Sequence, residues 1–158
     1  MLTSRFEFGP DDILVSGVPG NHLYGFLFSV MIPMVSGAAC VNETPLHAES
    51  VVGLSTETGA TIFVSTPAQL RNCTTVAAER FPAFRRVFSS GAALHEETRS
   101  ELAEKGLDIT EIFGSTETGG IAWRDGSSDG IWTPLPQVDV RVGNDGLLEI
   151  RSPFAGHP

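Results

Sequence analysis

The chain alternates short apolar β-favouring runs with longer helix-patterned ones. "DDILVSGVP" (11–19) is an apolar run closed by Gly and Pro, and predicts a strand. "LYGFLFSVMIPMVSGA" (23–38) is long enough for a helix and apolar nearly all round, which predicts a buried helix. "AACVNE" predicts a short second strand, and "PLHAESVVGLSTETG" a helix opened by Pro45 and closed by Gly59. "TIFVST" then predicts a strand, "PAQLRNCTTV" a helix, and "FRRVFSSG" a strand stopped by Gly91. The clearest helix is "HEETRSELAEKG", with Glu96 and Glu97 at its start, Lys105 near its end and Gly106 beyond. A Glu101–Lys105 pair at i, i+4 is expected to support it. "ITEIFG" is the next strand.

Strands alternating with helices predict an α/β fold, a mostly parallel sheet with helices on both faces. After Gly120 the rhythm changes. "GIAWR", "IWTPLP", "VDVRVG" and "GLLEIRSP" are short β segments separated by "DGSSDG" and "NDG", which predicts a small antiparallel module. The expected division is therefore 1–120 for the α/β part and 121–158 for the hairpin module.

With 158 residues, 41% apolar and 18% charged, the composition is that of a globular domain. A net charge of −9 with no continuous basic face argues against a nucleic-acid partner. Cys40 and Cys73 lack metal-ligand or CxxC spacing and read as buried free thiols of a reducing, cytoplasmic protein. Residues 13–42 carry no formal charge with His22 neutral, but Pro19, Gly20, Pro33 and Gly37 interrupt the run. A strand followed by a buried helix fits it better than a membrane span. Asp11 and Asp12 stand where the apolar core of a signal peptide would begin, so none is expected.

In open parallel sheets, ligands bind where strands end at their carboxyl side. Three unusual stretches fall at such ends: "VPGNHLYG", "SSGAAL" and "FGSTETGG". Together they bring His22, the Gly91 backbone, Thr116 and Glu117 to one rim. A carboxylate suits a hard cation such as Mg²⁺, and a neighbouring hydroxyl with flanking glycines suits a phosphate. The competing reading of "FGSTETGG" is a solvated turn. For His22 it is a surface or packed residue, and for Phe113 a core ring.

"FGSTETGG" resembles the Tyr/Phe-Gly-x-Thr-Glu signature of the adenylate-forming superfamily of acyl- and aryl-CoA synthetases. Four other stretches resemble that family in the same order: "VPGNHLYGFLFSVMIPMVSGAACV", "GATIFVSTPAQLRNC", "FRRVFSSGAALHEE" and "WTPLPQVDVRVGNDGLLEIRSP". The resemblance covers nearly the whole chain. It implies that Thr116 meets the α-phosphate and Glu117 holds Mg²⁺. It implies that Phe113 lies against adenine, with Ser90, Gly91 and Ala92 as the opposite wall and Ile112, Gly114 and Ser115 alongside. It implies that His22 sits near the carboxylate to be activated and that Gly119 and Gly120 border the acyl pocket. Glu111 stands where members face the adenine amino group; a glutamate accepts there but cannot donate.

The implied reaction is ATP-dependent activation of a carboxylic acid, with coenzyme A or carrier-protein pantetheine as the thiol acceptor. The family's lysine-bearing phosphate loop, its Thr-Gly-Asp and its mobile C-terminal domain are not in this sequence, so the isolated polypeptide is expected to be inactive or feeble. Surfaces those parts would cover are expected to be apolar and to favour self-association. The rival expectation is a non-catalytic binding or scaffold domain that keeps the fold.

Overall fold

The computed structural model describes residues 2–126 and 130–155; the centre of the "DGSSDG" turn lies outside them. Helix α1 (Leu2–Phe6) leads into β1 (Ile13–Ser16). A continuous helical stretch follows, built of α2 (Leu23–Phe26), a π turn (Leu27–Met31) and α3 (Ile32–Ser36). Next come β2 (Ala39–Cys40), α4 (Ala48–Thr58), β3 (Ile62–Ser65) and α5 (Pro67–Cys73). Then follow β4 (Arg86–Ser89), α6 (Glu96–Glu104), β5 (Ile109–Ser115) and β6 (Gly119–Arg124). The chain closes with β7 (Thr133–Pro134), β8 (Asp139–Val142) and β9 (Leu148–Arg151).

The main sheet runs β2-β1-β3-β4-β5-β6-β7. Its pairs are parallel from β2 through β5 and antiparallel from β5 to β7. Strands β8 and β9 form a separate antiparallel pair. The β segments after Gly120 thus divide between two sheets: β6 and β7 extend the parallel one, and only β8 and β9 stand apart.

Period-two alternation builds two cores. Leu14, Ile62, Val64 and Phe88 point to one face, where they meet Phe6, Phe28 and Trp123. Val15, Phe63 and Val87 point to the other, against Val51, Leu70 and Leu102 of α4, α5 and α6. Helices therefore cover both faces, as the alternation of elements predicts. Among the described residues no helix is long and apolar enough to cross a membrane.

Several local expectations change. Helix α4 begins at Ala48, not Pro45, because the Pro45 carbonyl accepts a 2.7 Å hydrogen bond from the buried Gln69 amide. Lys105 does not answer Glu101; its ammonium donates to the carbonyls of Thr74 and Val76 and ties α6 to the end of α5. The stretch 23–36 is not buried all round. Phe28 and Ile32 pack on the sheet, while Phe26, Val30, Met34 and Val35 are exposed, because no described element covers that flank. Both cysteines are free, and burial pushes the Cys73 thiol up to about 11.

Candidate functional site

Loops at the carboxyl ends of β1, β4 and β5 converge on one rim. After β1, the Pro19–His22 corner folds tightly over α2. A Cβ on Gly25 would lie 2.1 Å from the Pro19 carbonyl oxygen, so only glycine lets the loop close. His22 is the residue preceding α2; its side chain makes no capping bond and is exposed. After β4, Gly91 turns the chain with φ of +94°, in open space, so the backbone angle and not crowding demands glycine. The Ser90 hydroxyl donates to the Ile112 carbonyl at 2.7 Å and locks this loop to β5.

The β5–β6 connection is a tight turn over Thr116–Thr118. Ser115 and Thr118 hydroxyls lie 2.9 Å apart and brace it from within. Thr116 and Glu117 are left exposed at its tip. Hydrogen bonds from its own backbone N–H and from Ser115 hold the Glu117 carboxyl below the usual range, so it is ionised at neutral pH. The pairing slips between Phe113 and Gly114, with Ile121 unmatched on β6, a bulge next to the turn.

Three cavities line up along this rim. The central cleft, about 240 Å³, gathers His22, Ser90, Gly91, Gly114, Ser115 and Thr116. On one side it opens into a pocket of about 500 Å³ bounded by the Ser90–Ala92 loop, Ile112, Phe113 and Trp132. The Phe113 and Trp132 rings are 5.7 Å apart and tilted, and both are partly exposed. On the other side, sharing Thr116, Gly119 and Gly120, lies an apolar pocket of about 430 Å³. The volumes and linings suit a flat base, a polar junction and an acyl tail in that order.

Glu111 is placed elsewhere. Its side chain is 2% exposed and lines none of these three cavities. The Arg124 Nε–H donates to its Oε1 at 2.7 Å, Arg99 Nη2 bonds the same oxygen, and the Leu94 N–H donates to Oε2 at 3.1 Å. Burial and the neighbouring Arg124 pull the Arg99 guanidinium below its usual range, against the pull of Glu96, Asp108 and Asp125. Both carboxylate oxygens are therefore engaged by groups of the protein itself. Arg124 in turn lies over the Trp132 ring at 4.7 Å, which links the ion cluster to the pocket wall.

Trp132, Leu135, Val140 and Leu148 also line the cavities, and no pattern in the sequence marks them. Their only signal is an apolar residue in a short β segment, which every strand shares. Among the described residues no group of three or more His, Cys, Asp or Glu is placed to hold a metal ion. Glu117 lies exposed at the turn tip and lines none of the three cavities; one carboxylate of this kind suits a Mg²⁺ held mainly by substrate phosphates.

The model of the AMP-binding enzyme family matches residues 1–153. The chain belongs to this family. Over 146 residues it is 32% identical to a 4-coumarate–CoA ligase of Rhodobacter capsulatus, a match covering 92% of this chain and 36% of that protein. Apo MatB from Rhodopseudomonas palustris superposes with a TM-score of 0.87 at 20% identity, over 98% of this chain and 34% of its own. A malonyl-CoA ligase with methylmalonyl-CoA and AMP bound superposes with a TM-score of 0.80 at 21% identity, over 98% and 37%. The chain thus spans about a third of the length of the proteins it matches. The matched part of each solved structure shares the fold described above.

Proposed function

We propose that this chain forms the nucleotide- and acid-binding part of an AMP-forming acid–thiol ligase. The parent reaction is carboxylate plus ATP giving an acyl-adenylate and pyrophosphate, followed by transfer of the acyl group to coenzyme A or a carrier-protein pantetheine. One observation carries the reading: a base-sized pocket, a polar junction and an apolar pocket adjoin in line, with Thr116 and His22 at the junction. The likeness in fold to a ligase with AMP bound supports a nucleotide as one of the ligands.

In this reading Phe113 and the Ser90–Ala92 loop hold adenine between them, with Ile112, Gly114 and Ser115 along its edge. The Thr116 hydroxyl donates to the α-phosphate. His22, at the mouth of the same cleft, orients the attacking carboxylate. Gly119 and Gly120 leave the path to the acyl pocket open. Bound at Glu117 and the phosphates, Mg²⁺ would offset the charge on the α-phosphate. Glu117 contributes one ionised ligand and no more, so nucleotide and metal bind together.

Calorimetry tests this directly. The chain is expected to bind ATP more tightly with Mg²⁺ than with EDTA, and Glu117→Gln to remove that difference while leaving metal-free binding unchanged. Equal Mg²⁺ enhancement in the variant would discard the metal role. The chain alone is expected to show little or no thioester formation, because among the described residues no lysine lines the cleft. The exposed flank of Phe26, Val30 and Met34 is expected to drive self-association, and a concentration-independent monomer in size-exclusion chromatography would count against that.

A further inference from the structure

We infer that Trp132 is a nucleotide-binding residue of this site and that Arg124 is the positioning residue that sets its ring. The inference rests on the ligase reading and adds to it a wall that no motif in the sequence marks. Trp132 lines the 500 Å³ pocket beside Phe113. Both rings stay partly exposed, Trp132 at 37% and Phe113 at 42%. Their centroids are 5.7 Å apart and their planes are tilted by 56°. A base stacked between two rings needs about 7 Å, twice the carbon–carbon contact distance. The pair therefore forms a corner and not a slot. One ring meets the face of a flat ligand while the other meets its edge.

Strand register explains why Trp132 stands there. Glu111 pairs with Arg124 across β5 and β6, and Trp123 pairs with Thr133 across β6 and β7. One step further along that register, Arg124 faces Trp132. Glu111, Arg124 and Trp132 thus form one row across three neighbouring segments, and residues opposed in such a row share a face of the sheet. Phe113 lies two residues beyond Glu111 on the same face, opposite the small side chain of Ala122. Arg124 uses two parts of its side chain. Its Nε–H donates to Glu111 Oε1 at 2.7 Å, and its guanidinium carbon lies over the Trp132 ring, 4.7 Å from the centroid. Glu111 also accepts from the Leu94 N–H at 3.1 Å, just past the Ser90–Ala92 loop, so one carboxylate ties both walls of the pocket. A lysine keeps a charge beside Glu111 but has no plane to lay on the indole.

Indole NMR on the 158-residue chain reads the contact, with Trp123, 9% exposed and outside the pocket, as internal reference. ATP is expected to shift the Trp132 signal saturably and to leave Trp123 in place. Inorganic tripolyphosphate, which has no base, is expected to shift neither. By calorimetry, Trp132→Ala is expected to weaken ATP binding about fivefold and to leave tripolyphosphate binding unchanged. Arg124→Lys is expected to weaken ATP binding about threefold and to move the Trp132 signal of the free chain, with the thermal midpoint held near that of the unaltered chain. ATP binding that leaves Trp132 unmoved, or a Trp132→Ala loss shared equally by tripolyphosphate, would overturn the role of Trp132. Unchanged ATP binding in Arg124→Lys, or a loss that comes with a much lower midpoint, would overturn the positioning role of Arg124. No heat from the unaltered chain with either ATP or tripolyphosphate would instead overturn the ligase reading on which the inference rests.

Discussion

Glu111→Ala is expected to cost the fold about 3–5 kcal/mol and to lower the thermal midpoint by roughly 10 °C or more. The carboxylate sits 2% exposed between two guanidiniums whose side chains are themselves 12% and 21% exposed. Removing it leaves two like charges facing each other in a poorly solvated space, and the Leu94 N–H without its acceptor. Glu111→Gln keeps an acceptor for that N–H and is expected to recover part of the loss, but not the charge balance. Differential scanning calorimetry of both variants gives the measurement. A change under about 1 kcal/mol for the alanine variant would show that water replaces the carboxylate. Weaker ATP binding should accompany the loss, because Arg124 no longer holds the Trp132 ring in place.

The second large effect lies at the opposite edge of the strands. Arg85 grips Asp12 with two hydrogen bonds, Nε–H to Oδ1 at 3.1 Å and Nη2–H to Oδ2 at 2.8 Å, while Thr61 and the Gly9 N–H add two more. Burial alone would push the Asp12 carboxyl up, but these donors hold it below its ordinary value. A carboxylate with a lowered folded value contributes stability that is present above about pH 4 and is lost as pH falls through that lowered value. Arg85→Ala is expected to cost about 2–3 kcal/mol at neutral pH. With its main donor gone, burial raises the Asp12 value, and the variant gains on protonation where the wild type loses. The gap between the two should therefore narrow as pH is lowered towards 4, read as urea midpoints across that range. A gap that stays constant would mean that Asp12 keeps the same protonation behaviour without Arg85.

Both effects belong to residues whose partners are distant in the chain, and that limits what the residue order reveals. Glu111 reads as a group facing a ligand because it precedes Ile112 and Phe113 in a familiar motif. Its partners are twelve positions upstream on α6 and thirteen downstream on β6, and only the β5–β6 register sets Arg124 opposite it. Lys105 shows the same limit on a smaller scale. A local rule pairs it with Glu101, but docking of α6 brings unsatisfied carbonyls at Thr74 and Val76 within its reach, and they take it instead.

What residue order alone settles here is the alternation of strand and helix, because side-chain periods of two and 3.6 and the punctuation by Gly and Pro are local properties. It also settles which loops meet, since a parallel sheet brings the carboxyl ends of its strands to one edge. Tertiary packing decides the rest. It buries Glu111 between Arg99 and Arg124 and leaves Thr116 and Glu117 exposed at the turn. It also joins β6 and β7 to the main sheet and leaves one flank of the 23–36 helix uncovered. Those outcomes depend on charges and surfaces meeting across long stretches of chain, which no window of neighbouring residues contains.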